Sequence, residues 1–168
     1  MNKEKRIKIL LWTAVVLWMA VIFAFSSQNS DNSSETSDVV VDSVMENFFS
    51  DLDGMSSLDI EKLKHILTFL VRKSGHFIEY AILGILFTCA VSRQKLHLIK
   101  CAGISFAASA LYGVTDEIHQ LLVPGRACRI FDVCVDSAGS FAGVAAVTLI
   151  LYLISKKHNK IKKNPENT

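Results

Sequence analysis

The chain has 168 residues, room for one domain, and 51% of them are hydrophobic with a mean hydropathy of +0.35, which is more apolar than an ordinary soluble domain and makes the bilayer the first solvent to consider. The net charge of +2 is unevenly spread, with bases in blocks at both termini and over Arg93–Lys100 and acids gathered in Asp31–Glu61, a pattern that bears on topology and points to no nucleic-acid partner. Cys89, Cys101, Cys128 and Cys134 have neither a CxxC pair nor zinc-site spacing, which disfavours a thiolate metal site.

The first apolar run, Ile9–Phe25, stays uncharged to Ser30 and suits the ~20 residues that cross a bilayer. Its basic flank, Lys3, Lys5, Arg6 and Lys8, resembles a signal-peptide n-region, but the best cleavage cue, Ala24–Ser26, is weak; an uncleaved span over about 8–27 is expected. Trp12, near one end of this run, suits an interfacial anchor, and Trp18 sits at its middle. A polar stretch over 28–75 follows, rich in Ser, Asn and Asp as far as Asp53 and expected to be partly flexible. Two helical stripes run through it: Val40, Val44 and Phe48, then Leu63, Ile66, Leu67, Leu70 and Val71 opposite Glu61, Lys62, Lys64, His65 and Arg72. The second stripe fits an amphipathic helix lying on the membrane surface or packing on the bundle. Further spans are expected over about 76–92, 98–120 and 132–155. The fold class is therefore all-α, a bundle of about four transmembrane helices with an extracellular amphipathic helix between the first and second spans.

Lys and Arg near span ends stay on the cytoplasmic side, and the three basic blocks fall on one side of a four-span chain. Both termini are then cytoplasmic, and the loops 28–75 and 116–131 face outward. Cys128 and Cys134, read as one short outer loop, could form a disulfide in an oxidising compartment.

This topology puts distant polar residues at one depth. His76, Glu79 and Tyr80 share a face at the outer end of the second span. Asp116, Glu117 and Gln120 end the third, with His119 beside them as a weaker candidate. After the Pro124-Gly125 turn come Arg126 and Arg129, and the fourth span opens with Asp132 and Asp136, one turn apart. Gly139 and Gly143 continue that spacing and would let a neighbouring helix approach closely. Ionisable groups at membrane depth are costly unless paired or hydrated and often mark function. A bland alternative makes them structural, with Arg126 paired to Asp132 or Asp136 and His76 to Glu79 or Asp116.

Four motifs carry a resemblance that covers most of the chain. They are Phe23-Ala-Phe-Ser26-Ser27-Gln28; Arg72-Lys73-Ser74-Gly75-His76-Phe77-Ile78-Glu79-Tyr80; Asp116-Glu117-Ile118-His119-Gln120 with Pro124-Gly125-Arg126; and Asp132-x3-Asp136-x2-Gly139-x3-Gly143. In this order they resemble the VanZ-like family. Gly75, where Ala is common, and Ala127-Cys128-Arg129, where Ser-rich sequence is usual, are less typical. The resemblance implies a bacterial plasma-membrane protein related to the accessory factor for teicoplanin and lipoglycopeptide resistance, or one with a wider envelope role. It carries the family's polar set onto His76, Glu79, Tyr80, Asp116, Glu117, Gln120, Arg126, Asp132 and Asp136.

Three functions compete. In the first, an outer-leaflet cavity binds a membrane lipid, a lipid-linked cell-wall precursor or a lipoglycopeptide, with Tyr80, Gln120, Arg126, Asp132 and Asp136 as ligand contacts and Arg126 and Arg129 reaching phosphate or carboxylate. In the second, an intramembrane enzyme uses His76 or Glu117 as general base, Glu79 and Asp116 to tune it, and Arg126 to stabilise developing charge. A divalent metal on Asp116, Glu117, Asp132 or Asp136 is compatible with this chemistry, though no motif indicates one. Neither HExxH nor GxSxG is present to name a reaction. In the third, the protein is a structural partner in a membrane complex.

Overall fold

A computed structural model describes residues 2–48 and 56–163. The described residues form five helices: α1 (Lys3–Ser26), α2 (Ser30–Phe48), α3 (Ser57–Ser92), α4 (Leu98–Gln120) and α5 (Ile130–Lys163). Of these, α1, α3, α4 and α5 are long and apolar enough to cross a membrane, so the chain is an all-helical, multi-pass membrane protein. Their outer faces carry Leu10, Ile99, Leu111 and Leu149, all exposed, as a lipid-facing surface requires.

The helix α3 is the hub, touching each of the other four. It starts at Ser56, whose hydroxyl accepts from the Leu58 N–H at 3.3 Å, and Asp59 places negative charge in its first turn. No proline interrupts its 36 residues, which rise roughly 54 Å, well beyond a ~30 Å hydrocarbon layer. The Leu63–Arg72 stripe is therefore the first half of the second span's own helix, where the sequence suggested a separate element. The Ser/Asn/Asp-rich stretch is also helical over α2, in contrast to the flexible loop expected. Its polar side chains turn back on the helix: Ser43 Oγ donates to the Val39 carbonyl at 3.0 Å and Asn47 Nδ2 to that of Ser43 at 2.7 Å. The buried face of α2 is Ser37, Val41 and Met45, one residue on from the expected stripe, with Val40 exposed and the Phe48 side chain outside the described residues. Tertiary packing on α3 sets that rotation, secured by Lys64–Asp42 at 2.8 Å and Thr68–Asp38 at 3.2 Å.

Between α3 and α5 small residues let the backbones meet. A Cβ on Gly139 would overlap the carbonyl oxygen of Phe77, one on Gly143 that of Ala81, and one on Gly84 would lie 2.5 Å from the Ser140 oxygen. On the other side α1 contributes Val15 and Ile22 to a core with Tyr80, Leu83, Phe87 and Ala90. The Trp18 indole N–H donates to the Glu79 carbonyl at 2.9 Å and the Tyr112 hydroxyl to the Met19 carbonyl at 2.7 Å. These two bonds fix α1 against α3 and α4 at the depth of the polar residues. The α4–α5 turn contains Gly125 at φ 75°, in the left-handed region that glycine enters without strain. Cys134 lies on α5, not in that turn; it and Cys128 are both free and exposed.

Candidate functional site

The C-terminal ends of α1 and α4, the middle of α3 and the start of α5 meet at one end of the bundle, and each brings polar groups. Ser26 closes α1 and is buried; its Oγ donates to Asp116 Oδ2 at 2.6 Å. Gln120, one turn along α4, donates to the same oxygen at 3.3 Å. Asp116 Oδ1 has no hydrogen-bond partner among the described residues. Glu117, fully buried, accepts the Arg129 backbone N–H at 3.1 Å through Oε2, while its Oε1 is unpartnered. That bond pins the chain as it enters α5.

In the first turn of α5, Asp132 forms an ion pair with Lys73. The Lys73 ammonium also lies 5.5 and 5.9 Å from the ring centres of Phe69 and Phe131, so both its charge and its stem are engaged. Asp136 is fully buried, and His76 Nδ1 stands 3.4 Å from its Oδ1. This separation is that of an ion pair, but its direction is not that of a hydrogen bond, and both Asp136 oxygens lack one. The buried Tyr80 hydroxyl is also unpartnered among the described residues. Glu79 is half-buried, and its carboxylate has no hydrogen bond or ion pair there. His119 stacks on Phe23 at 4.4 Å between ring centres, and its Nε2 is 3.2 Å from Ser27 Oγ.

Two cavities open beside this set. The smaller, about 210 Å³, is lined by Ser26, Gln28, Arg72, His76, Glu79 and Arg126 together with apolar atoms of Phe25, Val40 and Val71. The larger, about 580 Å³, is bounded by α2, the first half of α3, the α4–α5 turn and Asp132. Gln120, Lys73, Arg129, Arg72 and Arg126 lie on its wall, the last two shared with the smaller cavity. Arg126 Nε donates to the Gln28 carbonyl at 3.2 Å. Burial and the neighbouring Arg72 push the Arg126 guanidinium below its ordinary value, against the pull of Asp116, Glu117 and Asp132. It stays cationic at neutral pH.

The candidate site residues all lie at this end, but the pairings differ from those expected. His76 faces Asp136 instead of Glu79 or Asp116, and Asp132 takes Lys73 instead of Arg126. Ser26, Arg72 and Lys73 received no role from the sequence. Motif membership was the available signal for all three, but which cavity each would line depends on helix packing. Among the described residues no three His, Cys, Asp or Glu side chains converge as a metal site.

A family model described as VanZ/LLP1 matches residues 11–153, a stretch that contains every residue of the site. No curated protein and no solved structure matches the chain.

Proposed function

The chain belongs to the VanZ/LLP1 family, and from that premise we propose that it binds a lipid-linked or lipidated ligand in the polar cavities, at the outer leaflet of a bacterial plasma membrane. Through that binding it contributes to teicoplanin and lipoglycopeptide resistance or to envelope homeostasis. Both termini are cytoplasmic in this reading, on the strength of the basic blocks. The observation that carries it is a pair of cavities on whose walls Arg72, Arg126, Glu79 and His76 lie, with unpartnered buried oxygens of Asp116 and Asp136 one residue behind the wall, next to Ser26 and His76. The arginines and the polar side chains of the cavity walls offer donors and acceptors to a charged headgroup and its waters. Capture of a lipid-linked precursor or a drug's lipid tail lowers drug access without any covalent step.

A second reading, an enzyme acting on a lipid-linked substrate, is favoured by one observation: His76 lines the smaller cavity with Asp136 behind it, an orientation suited to a general base. One experiment separates the two. Purified protein is incubated with envelope lipids and the lipids are analysed by mass spectrometry. Binding with every lipid mass unchanged supports the binder; a new lipid species that needs His76 supports the enzyme; neither binding nor turnover contradicts both.

A further inference from the structure

Arg72 and Arg126 each line both cavities, so their guanidinium groups stand at the boundary between them. The ion pairs among the described residues are Lys62–Asp59, Lys64–Asp42, Lys73–Asp132 and His76–Asp136; none involves Arg72, Arg126 or Arg129. Among the described residues Arg72 has no hydrogen bond either, and Arg126 uses only Nε, on a neutral carbonyl. Of the nearby carboxylates Glu79, on the wall of the smaller cavity, has no hydrogen bond or ion pair among the described residues, one negative charge against three guanidinium groups. Asp132 holds Lys73, Asp136 faces His76, Asp116 accepts from Ser26 and Gln120, and Glu117 accepts from the Arg129 N–H. Guanidinium groups brought to one half-buried boundary repel unless an anion lies between them.

The geometry of the donors selects that anion. One guanidinium fork satisfies the two oxygens of a carboxylate. Two forks at one boundary suit a group with three or more charged oxygens. We propose that Arg72 and Arg126 clamp one doubly charged phosphoryl group, a phosphomonoester or a diphosphate, at the boundary of the two cavities, with Arg129 reaching it from the larger one. This rests on the ligand-binding function proposed above and names the group that is bound. The larger cavity then receives the organic substituent of that group, and the smaller, with Glu79 and His76 on its wall, receives a second substituent only where the group is a diphosphate diester.

The test is a binding titration of the full chain in detergent with phosphatidic acid, phosphatidylglycerol and inorganic pyrophosphate. Phosphatidic acid carries roughly two negative charges at pH 7.5 and phosphatidylglycerol one, so the clamp predicts about tenfold or more tighter binding of the former. The preference fades by about pH 5, where the second phosphate proton returns. Arg72→Gln and Arg126→Gln each weaken phosphatidic acid binding about tenfold or more. The double variant loses less than the product of the singles, because the two residues share one group. Arg72→Lys keeps charge and stem, which separates a lost fork from a folding defect, and still loses affinity several-fold, since an ammonium lacks the fork. Lys62→Gln, at a residue that lines neither cavity, binds as the parent does.

Phosphatidylglycerol binding as tightly as phosphatidic acid, or Arg72→Lys and Arg126→Gln both within twofold of the parent, overturns the clamp while leaving lipid binding intact. Pyrophosphate bound through both arginines without phosphatidic acid upholds the clamp, makes its ligand a soluble one, and removes the lipid reading instead. Binding of neither compound overturns the clamp.

Discussion

Asp136 and Asp116 show how one residue type serves different ends in the same site. Asp116 has one oxygen held by Ser26 and Gln120 and one left open, whereas both oxygens of Asp136 are open with His76 beside them. Replacing Asp116 by Asn keeps an oxygen for the Ser26 hydroxyl while removing the charge, and Glu117→Gln does the same for the Arg129 N–H. Both variants are expected to insert at parental abundance yet lose the resistance phenotype and about tenfold or more in ligand affinity. Immunoblots of membranes alongside drug susceptibility check this, and full activity in both contradicts a functional role for the carboxylates. The residues themselves were legible in the sequence, because ionisable groups in apolar runs stand out. Their partners were not: helical spacing puts His76 beside Glu79, but only the approach of α5 brings Asp136 within 3.4 Å of the ring.

At the scale of elements, the closest approach is α3 against α5. The spacing of Gly139 and Gly143 announced a close contact, but the sequence did not say that the partner would be α3, which answers with Gly84. Gly143→Val drives a side chain into the Ala81 backbone and is expected to cost more than the ~1–3 kcal/mol of ordinary overpacking. A loss of thermal stability in detergent measures it, and an unchanged midpoint contradicts the packing. Gly75 differs, since nothing lies within 4 Å of a Cβ placed there. Gly75→Ala is expected to stabilise by about 0.5–1 kcal/mol in the same assay, through helix propensity alone. The rotation of α2 was the harder reading. Val40 and Val41 sit side by side in a short apolar run, and both are consistent with an amphipathic stripe. Contact with α3, through Lys64–Asp42 and Thr68–Asp38, decides that Val41 faces in.

For the whole molecule, the four spans followed from apolar run length, whereas the reach of α3 and α5 past the expected spans did not, because hydropathy marks where a helix meets lipid and not where it ends. The proposed orientation predicts that a thiol reagent unable to cross membranes labels Cys128 or Cys134 on intact cells but neither Cys89 nor Cys101, which lie within the spans. Labelling only after the cytoplasmic face is opened contradicts that orientation. The central claim, that the polar end of the bundle holds a phosphate-bearing membrane ligand, is tested most directly by native mass spectrometry of the protein released from its own membrane. The account predicts a lipid of intact mass retained by the parent and lost from Arg126→Gln. An empty parent, or a lipid retained equally by the variant, would contradict it.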